Sequence, residues 1–282
     1  MVRIVTDTTS GLPLSVAEEL GVAVVPQIII FGEETYRDDT GLDTATFLRK
    51  LRVSPVLPKT AAPPPALYEP IFRPLVAAGD TVICLHPSSD LSGTVRSATV
   101  AAEDFPGADI RVVDTRTIAA PLATMVRLAA GWAREGADAD TIIARVRDLM
   151  ARQQVYFVVD TLEYLHKGGR IGGAKALLGG LLQVKPILTL RDGRVEPFEQ
   201  QRTSRRALAR LRELVLTGCP ASPEAYPAVM QADAEGEARA LAEEFAAALG
   251  LEGVPVYELP PAIVVHGGPG TLAASFFVAS PA

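Results

Sequence analysis

The chain has 282 residues, of which 48% are apolar and 21% charged, with a net charge of −6. That is enough for two domains of ordinary size with a sizeable core, and it disfavours a nucleic-acid backbone as partner. Met1–Asp7 lacks the basic, apolar and small-residue regions of a signal peptide. The longest apolar stretch, Gly21–Phe31, is interrupted by Pro26 and Gln27 and falls short of the ~20 residues a membrane span needs. A cytoplasmic location is expected. Cys84 and Cys219 have no metal-ligand spacing and read as free thiols.

In chain order, Val2–Thr6 reads as a strand, Leu14–Leu20 as a helix and Val22–Ile30 as a second strand. Asp43–Leu51 reads as a helix, Thr81–Leu85 as a strand, Ser88–Leu91 as a loop, and Ser92–Glu103 as a helix. Ile110–Val113 is a strand, followed by helices over about Ala119–Arg134 and Ala139–Gln153. Strands separated by helices of this length predict parallel pairing through right-handed crossovers. The rhythm changes near Gln153, so the domains are expected at 1–153 and 154–282. Beyond it, Val155–Val159 is a strand, and Leu162–Leu165 and Ala174–Leu182 flank a glycine-rich stretch. Pro186–Leu190 and Arg194–Gln200 form a hairpin, because Asp192-Gly193 supplies residues that tolerate positive φ. Helices over Ser204–Leu216 and Glu235–Leu249 alternate with strands at Pro227–Gln231, Val254–Glu258, Ile263–His266 and Phe276–Val278. The expected class is α/β: an N-terminal domain with a parallel sheet, then a C-terminal domain with a mixed or antiparallel sheet.

Four segments carry candidate chemistry. His86-Pro87-Ser88-Ser89-Asp90-Leu91-Ser92-Gly93-Thr94 follows a strand and opens a helix. A helix start leaves N–H groups unpaired and carries partial positive charge, so it accepts a carboxylate or phosphate. Ser92 and Thr94 add hydroxyls, and Gly93 permits close approach, although an ordinary serine cap explains the same residues. His266-Gly267-Gly268-Pro269-Gly270 places a histidine at the end of an apolar strand on a stiff turn, where its imidazole can donate to an anion. Lys59-Thr60-Ala61-Ala62-Pro63 is a polar loop offering the Thr60 hydroxyl. Leu165-His166-Lys167-Gly168-Gly169-Arg170-Ile171 presents Arg170 on a glycine-rich loop. Neither a dinucleotide fingerprint nor a phosphate-loop motif is present. Arg170, Arg202 and Asp38 otherwise read as solvated surface charges.

Together these segments resemble the DegV family, which includes the FakB subunits of bacterial fatty acid kinase. Val5–Ser10 is similar to the family's opening strand and turn. Lys59–Pro63 resembles its Lys-Thr-Ser-Gln-Pro loop, Ser88–Thr94 its Ser-Ser-Gly-Leu-Ser-Gly-Thr segment, and Leu165–Ile171 its Leu-Lys-Lys-Gly-Gly-Arg-Ile. Lys185-Pro186-Ile187 and His266–Gly270 match later motifs in the same order. The resemblance implies a binder of a long-chain fatty acid such as palmitate, stearate or oleate, with no cofactor. The acyl chain would be buried between helices and sheet. Thr60, Ser92 and His266 would contact the carboxyl group, and Gly93 and Thr94 would share the helix start that faces it. Asp38, Arg170 and Arg202 would lie near the site or face the partner. That partner is a separate ATP-dependent kinase subunit, which forms the acyl phosphate for phospholipid metabolism. Transient contact with a membrane surface is compatible with such a role. The chain itself is then not an enzyme.

The sequence departs from the family pattern at Ala61 and Ala62, which remove polar groups, and at Asp90, which puts a negative charge two residues from Ser92. Two rival readings are an interaction domain with a vestigial pocket and an acyl hydrolase with Ser92 as nucleophile and His266 as base. The hydrolase elbow G-x-S-x-G is not met, because Asp90 stands two residues before Ser92.

Overall fold

The structure, a computed structural model, describes residues 1–178 and 184–279. Packing divides the chain into two units: Met1–Asp43 with Pro58–Ala151, and Thr44–Leu57 with the chain from Arg152 onward. The segment Thr44–Leu57, which lies within the first half of the sequence, therefore packs with the second unit.

The first strand, β1 (Val2–Asp7), is followed by α1 (Leu14–Leu20) and β2 (Ala23–Val25). The expected single strand Val22–Ile30 is in fact two. Pro26 lacks an N–H for a sheet ladder, and the Gln27 amide N–H donates to the Asp38 carboxylate. Past this break the chain leaves the first sheet and enters a second as β3 (Ile28–Phe31), which pairs antiparallel with β4 (Glu34–Arg37). After α2 (Thr44–Val53) comes β5 (Lys59–Ala61), where a loop was expected. It pairs with β3 in the register Ile29 opposite Thr60. A strand of three residues has no readable alternation, and its partner lies far away in sequence.

Next come α3 (Glu69–Ala77), β6 (Thr81–His86), α4 (Thr94–Glu103), β7 (Ile110–Asp114), α5 (Ala120–Arg134) and α6 (Ala139–Arg152). The main sheet of the first unit has the order β2-β1-β6-β7 and is parallel throughout, as the alternating pattern predicts. Val5, Val82 and Cys84 from its strands bury against Tyr68, Phe72 and Ala98, giving this face a dry core. Each large apolar side chain buried there is worth about 1.5–3 kcal/mol.

The second unit holds β8 (Gln153–Val158), α7 (Glu163–Lys167), β9 (Lys185–Arg191), β10 (Arg194–Gln201), α8 (Ser204–Gly218), β11 (Ala228–Gln231), α9 (Glu235–Leu249), β12 (Val256–Glu258), α10 (Pro261–Gly267) and β13 (Leu272–Phe277). Its sheet is mixed, in the order β10-β9-β8-β13-β11-β12, with only the β11–β12 pair parallel. The β9–β10 hairpin turns at Asp192 (φ 49°) and Gly193 (φ 79°), the two positive-φ positions expected from that dipeptide. Leu211 and Val215 of α8 and Phe245 of α9 pack on Val229 and Phe276 of the sheet.

Two expectations are corrected in this unit. Ile263–His266 is not a strand but most of the helix α10. Three apolar residues and a histidine carry no distinguishing period, whereas Pro261 stands at the first helical position, where its fixed φ is an advantage. The last strand begins earlier than expected, at Leu272 instead of Phe276. Of the expected segment Ala174–Leu182, the part up to Leu177 belongs to a 3-10 helix that starts earlier, Gly172–Leu177, and residues 179–182 lie outside the described residues.

Candidate functional site

In the parallel sheet, β1 leads outward to β2 on one side and β6 leads outward to β7 on the other. The carboxyl ends of β1 and β6 therefore flank the point where strand order reverses, the place where open α/β sheets bind ligands. Asp7 closes β1 and His86 closes β6, and the two meet there. Asp7 Oδ2 accepts from His86 Nδ1 at 2.9 Å, and the Tyr68 hydroxyl lies 3.2 Å from His86 Nε2. With the hydrogen on Nδ1, as a carboxylate partner requires, Nε2 accepts from the tyrosine. Asp7 Oδ1 accepts from the Thr9 amide (2.9 Å), the Thr9 hydroxyl (2.5 Å) and Gln27 Nε2 (3.0 Å). All these side chains are buried.

The loop after β6 is wound tightly on Ser88. Its carbonyl accepts from the amides of Leu91 and Ser92, and its hydroxyl accepts from the Asp90 amide. The helix starts later than expected: α4 begins at Thr94, with Gly93 in the cap position and no side-chain cap. Ser92 thus stands outside the helix, half-buried, with its Oγ 2.7 Å from the hydroxyl of the fully buried Thr94. A Cβ on Gly93 would lie 3.4 Å from the Ala62 Cβ. The strand carrying Thr60 and the helix start carrying Ser92, Gly93 and Thr94 are therefore neighbours. Asp90 does not leave its charge facing Ser92 alone, since its Oδ2 is 2.9 Å from Arg116 Nη1.

Asp38 is corrected from a surface charge to a buried one, 8% exposed. Its Oδ1 accepts from the Thr8 hydroxyl (2.7 Å) and the Gln27 amide (2.8 Å), while Oδ2 has no hydrogen-bond partner among the described residues. Burial pushes its carboxyl up to about 7, with Asp7 adding to the rise against the opposing hydrogen bonds.

In the second unit, His266 sits in the last turn of α10, not at a strand end. The two glycine motifs of that unit interlock around it. A Cβ on Gly168 would lie 2.2 Å from His266 Nδ1, and one on Gly268 would lie 2.5 Å from the Tyr164 ring. Burial first, and then the nearby Arg170 charge, lower the His266 pKa to about 4, so the imidazole is neutral at pH 7 and donates through one N–H. Arg170 is half-buried and donates from Nη1 to the Gly168 carbonyl at 2.8 Å; desolvation lowers its own pKa. Arg202 is exposed in the turn between β10 and α8.

Four residues of the hydrogen-bonded chain that runs to Ser92 are not picked out from the sequence: Asp7, Gln27, Tyr68 and His86. Asp7 lies inside the segment Val5–Ser10 that resembles the family, and His86 opens the candidate segment His86–Thr94, so position pointed near them. Gln27 showed only as an interruption in an apolar run.

Acyl hydrolysis has no support in this geometry. The hydrogen-bond partners of Ser92 Oγ are the Thr94 hydroxyl and amide, and the histidine of the same unit, His86, is engaged between Asp7 and Tyr68. A histidine with a pKa near 4, such as His266, is a poor general base at pH 7. Both cysteines are free and buried, and burial raises their thiol pKa values. Among the described residues no group of three His, Cys, Asp or Glu could hold a metal ion, and no helix is long and apolar enough to cross a membrane. An open cleft of about 470 Å³ elsewhere in the first unit is lined by Met1, Val2, Ala133, Ala137 and Ala139 together with the charged Asp109, Arg111, Asp138 and Asp140.

Comparison with known proteins agrees with this architecture. The family model of the DegV family matches residues 1–279. A DegV domain-containing protein of Halalkalibacterium halodurans is 36% identical over 278 residues, covering 98% of each chain. A fatty-acid-binding DegV family protein from Thermus thermophilus superposes with a TM-score of 0.90 at 35% identity, over 99% of each chain. DegV from Bacillus subtilis, described as a fatty acid binding protein, gives a TM-score of 0.88 at 31% identity, again over 99% of each chain. With a family model that matches residues 1–279 and a relative 36% identical over 98% of each chain, the chain belongs to the DegV family.

Proposed function

We propose that this chain binds a long-chain fatty acid of the palmitate, stearate or oleate class and presents its carboxyl group to a separate ATP-dependent kinase subunit for acyl-phosphate formation in phospholipid metabolism. The observation that carries the reading is the placement of Ser92. Its hydroxyl lies outside the helix it precedes, next to Gly93, which abuts Ala62 at the end of the Thr60 strand, at the carboxyl edge where strand order reverses. The fatty acids bound by similar DegV proteins supply the ligand class.

In this reading Thr60 and Ser92 hold the carboxyl group, and Gly93 and Thr94 share the helix start that faces it. His266 is a further donor to it, assigned from the family motif. Arg170 and Arg202 serve the kinase partner, and the buried Asp38 supports the site from behind the Thr8 and Gln27 turn. Tail burial supplies most of the affinity, at ~0.8 kcal/mol per methylene and so about 10 kcal/mol for sixteen carbons before ordering costs. The polar head fixes orientation. The chain supplies no phosphoryl-transfer groups of its own, works in the cytoplasm, and touches the membrane surface only while exchanging ligand.

Titration with oleate or palmitate tests the proposal. Ser92→Ala and His266→Ala should each weaken binding by ~1.5–3 kcal/mol, the value of a hydrogen bond to a charged group, and leave the fold intact. Unchanged affinity and unchanged kinase-coupled turnover in both variants would sink the head-group assignment.

A further inference from the structure

We infer that Gln27 is a positioning residue that fixes the direction of the Ser92 hydroxyl, through Thr94, and thereby makes the site selective for an ionised carboxylate over a neutral head group. The inference rests on the fatty-acid reading and adds to it what sets head-group choice.

The reasoning follows the hydrogens. Gln27 Nε2 lies 3.0 Å from Asp7 Oδ1 and 2.8 Å from Thr94 Oγ1. A carboxylate oxygen accepts only, so the amide group facing Asp7 is the NH₂ and its orientation is settled. Its two hydrogens are then both spent, one on Asp7 and one on Thr94. Asp7 is itself held by the Thr9 amide and hydroxyl and by His86. The chain of bonds is anchored at that end.

Thr94 is fully buried, and its hydroxyl has two partners among the described residues: Gln27 Nε2, which donates to it, and Ser92 Oγ at 2.7 Å. The single Thr94 hydroxyl hydrogen therefore goes to Ser92. Ser92 Oγ also accepts from the Thr94 amide at 3.4 Å, so both of its lone-pair directions are taken. What remains is the Ser92 hydrogen, on the one member of the chain that is not fully buried. Ser92 is thus a donor and not an acceptor. A carboxylate, which only accepts, suits it. The hydroxyl of an alcohol needs an acceptor for its own hydrogen and does not find one on Ser92.

The test compares binding of oleate and of oleyl alcohol at pH 8 to the full chain and to three variants. Gln27→Met keeps the side-chain length and removes both donors, and Thr94→Val removes the intermediate hydroxyl. Thr94→Ser keeps that hydroxyl. The expected result is a loss of about tenfold or more in oleate affinity for Gln27→Met and Thr94→Val. Oleyl alcohol binding should stay within about twofold under the same principle, and Thr94→Ser should retain the preference for oleate. Should Gln27→Met fold poorly, the Thr94→Val and Thr94→Ser pair decides alone. Equal weakening toward both ligands, or an unchanged preference in the variants, overturns the inference while leaving the fatty-acid reading in place. A parent chain that binds neither ligand overturns both.

Discussion

In the first unit, the groups at the sheet edge are held by hydrogen bonds: Tyr68 to His86, His86 to Asp7, Asp7 to Gln27, Gln27 to Thr94, and Thr94 to Ser92. In the second, glycines make the room around His266, with the Gly168 backbone against its imidazole and Gly268 against the neighbouring Tyr164 ring. The first arrangement depends on chemistry, since each member needs a donor or acceptor of the right kind. The second depends on volume, since any Cβ at those glycines meets an occupied position. They should therefore break differently.

The largest effect is expected at Gly268→Ala. The residue has φ 80° and ψ 165°, a region open essentially to glycine alone, and its new Cβ would stand 2.5 Å from Tyr164. Strain and collision together should cost about 3 kcal/mol, read as a lowered urea midpoint. A variant as stable as the parent would show that the glycine cluster is slack.

Next comes the pH response, in which the two regions have opposite signs. The Asp38 carboxyl has a folded pKa of about 7, above its ordinary value of 3.8, so the folded state holds that proton more tightly. Its stabilising effect is full below about pH 4 and is lost as pH rises through 7. His266 has a folded pKa of about 4, below its ordinary 6.5, so its neutral form is favoured on folding. That contribution is full above 6.5 and is lost as pH falls toward 4. Asp38→Asn should remove the first slope and leave stability rising with pH across this window, a change on the order of 2 kcal/mol between pH 4.5 and 7.5. Denaturant midpoints at the two pH values measure it, and parallel profiles for variant and parent would contradict the assignment.

The smallest effect is expected at Asp90→Gly, which restores the residue usual in the family. The Asp90–Arg116 pair is partly exposed, so stability should change by less than about 1 kcal/mol and oleate affinity by less than about threefold. A larger change in affinity, suppressed by salt, would mean that the Asp90 charge does reach the ligand.

How far the sequence carried the fold differs between the same two regions. The helices Leu14–Leu20 and Glu235–Leu249 and the Asp192-Gly193 hairpin were readable because each is set by local period or local backbone preference. The break at Pro26-Gln27 and the short β5 were not, because what defines them is pairing with residues distant in the chain. The helix α10 was read as a strand because its apolar run is buried on several sides and leaves no period to follow. At the site, the residues standing in motifs were legible, whereas the bonds that orient them were not. Gln27 reaches Thr94 across 67 residues of sequence. Asp38 looked solvent-exposed because it lies in a charged run, yet the Thr8 hydroxyl and Gln27 amide fold over it.

The central claim, that this chain carries a fatty acid, is tested most directly by native mass spectrometry of the protein purified from a bacterial host. The account predicts a species heavier than the bare chain by the mass of one long-chain fatty acid, released on denaturation and replaced on adding oleate. A chain that stays at its bare mass, both as purified and after incubation with oleate or palmitate, would contradict it.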